Sequence, residues 1–177
     1  MKTILNLTLF AMLTCIASIS NAQETEAEEN NIFIEYIMGP YLFIDHIPYD
    51  AVFMNGCRLG YEFHPRFNTS LEYVVGQQQD DKNTLGMTHN VNAQLAFYPN
   101  ANPKKFNPYL FIGGGFFEFK AFSNDVYGIS YHAGAGTTLK ITERLASVIE
   151  ARYLNLGLMN LGGEHEIAVF WGVRFNF

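Results

Sequence analysis

Five glutamates, Glu35, Glu62, Glu72, Glu118 and Glu150, recur along the chain together with Arg58, Arg152, Arg174, Lys140 and His132. Carboxylates held near one another can divide the roles of general acid and general base. The same set can do something simpler. A buried charge without a partner is costly, so acids and bases facing each other across a narrow interior neutralise one another. Two further histidines, His46 and His165, stand beside Asp45 and Glu164. Imidazole and carboxylate together can hold a divalent metal, but these residues lack a ligand spacing and loop histidines are ordinarily solvated, so no metal set is assigned. The glycines of "GAGTTL" at Gly134 and of "GGG" at Gly113 to Gly115 resemble fragments of a phosphate loop. Neither completes that pattern or leads into a helix, so both read as places of close packing or strand bending.

Which chemistry the charges perform depends on the elements that carry them. The clearest element is "EIAVFWGVRFNF", where Ile167, Val169, Trp171, Val173, Phe175 and Phe177 alternate with Ala168, Phe170, Gly172, Arg174 and Asn176. Period-two alternation of this length is a β-strand whose two faces meet different surroundings. About eight such segments are expected, near 32–43, 51–63, 68–77, 85–98, 108–119, 127–141, 146–156 and 165–177. Turn-like stretches such as "HPRFN", "QQQDDKN" and "PNANPKKFNP" separate them. No helical periodicity of useful length intervenes, so a single all-β domain follows.

The opening "MKTILNLTLFAMLTCIASISNAQE" has Lys2, an apolar run and the small-residue stop Ser20-Asn21-Ala22. That is the layout of a secretory signal peptide cleaved after Ala22, too short and wrongly flanked for a spanning helix. The expected organisation is a signal peptide over 1–22, a short acidic periplasmic leader over 23–31 and a barrel over 32–177. The formal net charge is −6 and becomes one unit more negative when Lys2 is removed, which argues against a nucleic-acid partner. Only Cys57 of the two cysteines survives cleavage, so no internal disulfide is expected.

The faces choose between membrane and water. In the second segment Phe53, Cys57, Leu59, Tyr61 and Phe63 oppose Gly56, Arg58, Gly60 and Glu62. The fourth sets Val91, Ala93, Leu95 and Phe97 against Thr88, Asn90, Asn92 and Gln94; the fifth sets Tyr109, Phe111, Phe117 and Phe119 against Gly114 and Glu118. A narrow barrel of about eight strands is filled by its own side chains. The small and charged rows, rich in Gly and poor in Lys, suit such an interior better than a wet outer surface, so the apolar rows face lipid. Tyr41, Phe43, Phe63, Phe97, Tyr98, Tyr109 and Phe177 are expected at the interfacial girdles.

With these residues in view, the chain resembles the small OmpA/OmpX-like outer-membrane β-barrel family. The likeness is carried by "NPYLFIGGGFF", "GAGTTLKITERLASVIEARY" and the terminal strand. It implies an all-β, eight-stranded antiparallel transmembrane up-and-down barrel in the outer membrane of a Gram-negative cell envelope. Val169, Trp171, Val173, Phe175 and Phe177 look like the family's C-terminal assembly signal, read by the barrel assembly machinery through strand addition. Other implied partners are outer-membrane lipid and lipopolysaccharide, with a monomeric state and no cofactor. The peptidoglycan-binding domain of full-length OmpA proteins does not follow Phe177, so no wall-anchoring role is carried over. The odd-numbered connectors face outside and hold Asp45, Asp50, Asp80, Asp81, Asp125 and Glu164 against Lys82 and Lys120; Arg66, Lys104, Lys105 and Arg144 fall in inner turns.

Outer-membrane lipid A deacylases share this barrel type and carry an Arg-Tyr-x-His-x-Ser stretch that supplies a catalytic His and Ser. "ARYLNLGLMN" is similar at Arg152 and Tyr153, but Asn155 and Gly157 stand where the His and Ser would fall. Without nucleophile and base that mechanism fails. The sequence thus reads as a non-enzymatic barrel with a lumen network of Glu35, Arg58, Glu62, Glu72, Glu118, His132, Lys140, Glu150, Arg152 and Arg174, in a structural or surface-contact role. A lipid A-modifying enzyme and a small pore stay open as alternatives.

Overall fold

The computed structural model describes residues 31–43, 51–79, 85–100, 105–121, 124–158 and 162–177. The expected signal peptide and nearly all of the leader lie outside the described residues. Eight strands follow in order: β1 (Ile32–Phe43), β2 (Ala51–His64), β3 (Phe67–Gln79), β4 (Leu85–Phe97), β5 (Phe106–Ala121), β6 (Asn124–Lys140), β7 (Leu145–Leu158) and β8 (Gly162–Asn176). Each pairs antiparallel with its sequence neighbour, and β8 pairs with β1, so the sheet closes into a barrel. Closure leaves no unpaired strand edge.

The alternation sorts side chains as a closed barrel requires. On β8, Ile167, Val169, Trp171, Val173 and Phe175 point outward at 38–44% exposure, while Ala168 and Phe170 are fully buried. Ile167 to Phe175 spans eight residue steps. At about 3.3 Å per residue and a tilt of roughly 40°, that row is about 20 Å tall, close to the roughly 25 Å apolar band of a membrane barrel.

Inside, side chains stack in layers. Toward the end where β1 runs into β2 lies an apolar layer of Ile37, Tyr41, Val52, Met54, Val74, Leu154, Ala168 and Phe170. Toward the end that holds the first and last strand termini lies an aromatic layer of Tyr98, Tyr109 and Phe111 with Ala96 and Val148. Buried Glu and Arg side chains occupy the level between them.

The fifth strand corrects the sequence reading. Tyr109, Phe111 and Phe117 are 2–6% exposed and face the lumen, whereas Leu110, Ile112 and Phe116 at 57–73% face outward. The physical reason lies on β6. A Cβ at Gly136 or Gly134 would collide with the rings of Tyr109 and Phe111, so these glycines make room for aromatics that fill the lumen. Tyr41 and Tyr98 are likewise buried at 2% and 4%, so neither they nor Tyr109 belong to an interfacial girdle. Phe63 and Phe97 are exposed as expected; the side chain of Phe43 lies outside the described residues.

Candidate functional site

The charged layer forms because inward positions on β1, β2, β3, β7 and β8 converge at one level. Glu35 pairs across the ladder with both Arg58 of β2 and Arg174 of β8, and Arg58 in turn pairs with Glu72 of β3. Arg58 is the hub. Its Nη1 donates to Glu35 Oε2 at 2.6 Å and to Glu150 Oε1 at 2.8 Å. Its Nη2 donates to Glu72 Oε2 at 2.7 Å and to Glu150 Oε2 at 2.8 Å. Arg152 reaches Glu72 Oε1 and Glu150 Oε2, each at 2.7 Å, so each of these carboxylates is shared by two guanidinium groups. Arg174 Nε donates to the other oxygen of Glu35 at 2.5 Å.

Neutral groups complete the set. Tyr109 donates its hydroxyl to Glu150 Oε1 at 2.5 Å, and Asn92 donates to Glu72 Oε1 at 3.2 Å. Arg152 lies over the Phe170 ring at 4.4 Å and Arg174 over Phe33 at 4.0 Å, so the aromatics that cap the layer also meet the flat faces of its cations. Three carboxylates and three guanidinium groups, all 5% exposed or less, cancel in charge. Fork geometry is what makes this possible, since a guanidinium offers five donors in a plane and a carboxylate can accept two of them side by side.

Not every residue assigned from sequence joins this layer. Glu62 sits at the rim, its side chain 43% exposed, and touches Arg174 at 3.4 Å. Glu118 lies on the outward row of β5 and pairs with Lys120 at 3.3 Å, a correction that follows from the inverted faces of that strand. Lys140 continues the inward row of β6 but falls at the strand's last residue, where it is exposed. His132 is buried beside Phe111, and neither ring nitrogen has a hydrogen-bond partner among the described residues. A fourth buried acid, Glu166, was not assigned from sequence although it shares the parity of Ala168 and Phe170.

General acid–base work needs a carboxyl group that substrate can reach. Glu35, Glu72 and Glu150 are 0–2% exposed and each is held by two arginines. The layer is therefore built for closure.

A different cluster lies on the outer surface. Asn155 and Gly157 belong to the outward row of β7, and His165 of β8 stands directly opposite Asn155. His165 Nδ1 shares a hydrogen bond with the Tyr153 hydroxyl and lies 3.2 Å from Asn155 Nδ2. The hairpin register sets His165 against Asn155 and beside Tyr153; the other histidine considered for a metal, His46, lies outside the described residues. Asp45, His46, Asp50, Asp80, Asp81 and Lys82, and the side chains of Asp125 and Glu164, lie outside the described residues.

No protein-family model matches the chain, and no curated protein matches it. Solved structures do. Neisserial surface protein A is similar with a TM-score of 0.71 at 13% identity, over 83% of this chain and 97% of that one. The outer membrane protein OprG from Pseudomonas aeruginosa is similar with a TM-score of 0.55 at 11% identity, over 87% and 99%. The outer membrane enzyme PagL is similar with a TM-score of 0.53 at 9% identity, over 82% and 99%. The chain thus has the closed eight-stranded fold of small outer-membrane barrels, as its sequence resemblance implied. That fold is shared by proteins with and without enzymatic activity, so activity has to be argued from the residues.

Proposed function

We propose that this chain is a non-enzymatic barrel of the bacterial outer membrane, closed by its salt-bridged lumen, that acts through its surface. Its lipid-facing rows contact outer-membrane lipid and lipopolysaccharide, and its acidic loops face the medium. The supporting observation is the neutral Glu35–Arg58–Glu72–Glu150–Arg152–Arg174 layer, buried between an apolar and an aromatic layer. A narrow eight-stranded lumen packed with its own buried side chains is not expected to conduct. Purified protein in planar bilayers is expected to give no stable single-channel openings; reproducible conductance steps would establish the small-pore reading instead.

On this reading residues 1–22 direct export and are cleaved, and the closed barrel is monomeric. β8 carries Val169, Trp171, Val173, Phe175 and Phe177 to the assembly machinery while its edge is still open. A lipid A-modifying enzyme is the second reading. The likeness to PagL and the outward Tyr153–His165–Asn155 cluster favour it. Against it, the residues that bond His165 are a tyrosine and an asparagine, and neither is the serine that the resemblance requires.

A further inference from the structure

The outward face carries the same two-residue arrangement twice. Tyr73 of β3 stacks on His89 of β4, with ring planes 19° apart and centroids 6.1 Å apart, and its hydroxyl lies 2.7 Å from Nδ1. Tyr153 of β7 stacks on His165 of β8, 23° apart with centroids at 5.7 Å, and bonds Nδ1 in the same way. The register is identical. Tyr73 faces Val91 while His89 faces Val75; Tyr153 faces Ile167 while His165 faces Asn155. In both hairpins the His stands diagonally from the Tyr, one pair nearer the connecting loop. The two hairpins are four strands apart in a ring of eight, on opposite sides of the barrel.

Both pairs sit on the outward surface, toward the connecting loops. Toward the strand termini lie Leu71 and Val91 in one case and Ile149 and Val169 in the other, all exposed and apolar. At the level of the histidines polar residues join this surface, Asn155 on one side and Glu118 opposite His89 on the other, while the exposed Met87 and Ile129 lie one pair nearer the loops. An unsatisfied donor at the edge of hydrocarbon costs several kcal/mol, so each such donor must find an acceptor. Whichever tautomer His165 takes, the Tyr153–His165 pair uses one of its two donors on its own hydrogen bond and keeps the other, the Nε2–H or the tyrosine O–H, for an acceptor outside the pair.

We infer that the Tyr153–His165 pair, and its counterpart Tyr73–His89, bind the terminal phosphate of a membrane lipid whose acyl chains lie along the apolar row beneath. This rests on the outer-membrane reading above and adds the lipid group and the residues that recognise it. An anionic oxygen is the strongest acceptor available at that depth, and bonds to it are about twice as strong as those between neutral groups. At the first pair Lys120 adds a cation, offset by the Glu118 carboxylate with which it pairs at 3.3 Å. The β7–β8 pair is the cleaner site to test.

The protein's single tryptophan makes that test specific. Trp171 faces outward on β8, along the same row as His165, Ile167 and Val169. The full chain is folded into vesicles of phosphatidylcholine in which a fraction of lipid carries brominated acyl chains, and quenching of Trp171 is compared for brominated phosphatidic acid and brominated phosphatidylcholine. The native protein is expected to prefer phosphatidic acid by about threefold or more, the equilibrium equivalent of one net hydrogen bond. His165→Phe, and separately Tyr153→Phe, which keeps the ring, bring the ratio to about one. His89→Phe, on the far side of the barrel, leaves it unchanged. Equal quenching by both lipids in the native protein, or a preference that survives His165→Phe, overturns the inference. Excess inorganic phosphate in the water is expected to leave the ratio unchanged; if it erases the ratio, the ligand is free phosphate and the lipid assignment falls. If neither brominated lipid quenches Trp171, the chain is not in the bilayer, and the membrane reading fails along with this one.

Discussion

Arg58 is the residue on which the lumen depends most. Among the described residues it alone contacts Glu35, Glu72 and Glu150 together. Arg58→Met keeps much of the volume and removes the charge, leaving a layer of three carboxylates with two guanidinium groups. Losing one partner of a buried ion pair typically costs about 3–5 kcal/mol. Urea unfolding of the vesicle-inserted protein is expected to register a loss of that size, whereas Lys140→Ala, at an exposed strand end, stays within about 0.5 kcal/mol. If both substitutions cost the same, the layer is not what holds the lumen together. At this scale the sequence was legible wherever one face was plainly small or charged, as around Arg58 between Gly56 and Gly60. It misled at Glu118, because β5 has aromatics on both faces and only the glycines of its neighbour β6 reveal which rings turn inward. Glu166 could have been found by extending the parity of Phe170 toward the loop.

Among the elements, β8 has two jobs on the proposed reading: it closes the barrel, and before closure it presents its outward row for capture. These can be separated at Phe177. Its backbone N–H donates to the carbonyl of Ile32 at 3.0 Å, and a substitution that keeps the backbone keeps that bond. Phe177→Ala is therefore expected to refold in detergent like the native protein but to reach the outer membrane of cells in several-fold lower yield. Equal yields would mean that the terminal aromatic is not read. The strand boundaries were legible to within a few residues because turn clusters such as "HPRFN" interrupt the alternation. The diagonal meeting of Tyr153 and His165 was not legible, since it depends on the exact length of the β7–β8 connection, and one residue of slip would turn either side chain to the opposite face.

For the whole molecule, fold and chemistry part company. Eight strands, a filled lumen and an apolar belt were all implicit in alternation and composition, and none of them distinguishes a structural barrel from an enzyme built on the same frame. Lipid A from cells with and without the protein, in a strain lacking other modifying enzymes, is expected to give identical mass spectra. A protein-dependent loss of one acyl chain would move the search for a nucleophile to the outer surface around His165.

The measurement that tests the central claim most directly is electrophoretic migration of the protein recovered from separated outer membranes, with and without boiling. A closed barrel satisfied in lipid resists detergent at room temperature, so the unboiled protein is expected in the outer-membrane fraction, migrating apart from the boiled form. Recovery from the soluble periplasmic fraction, with one mobility under both conditions, would contradict a membrane barrel.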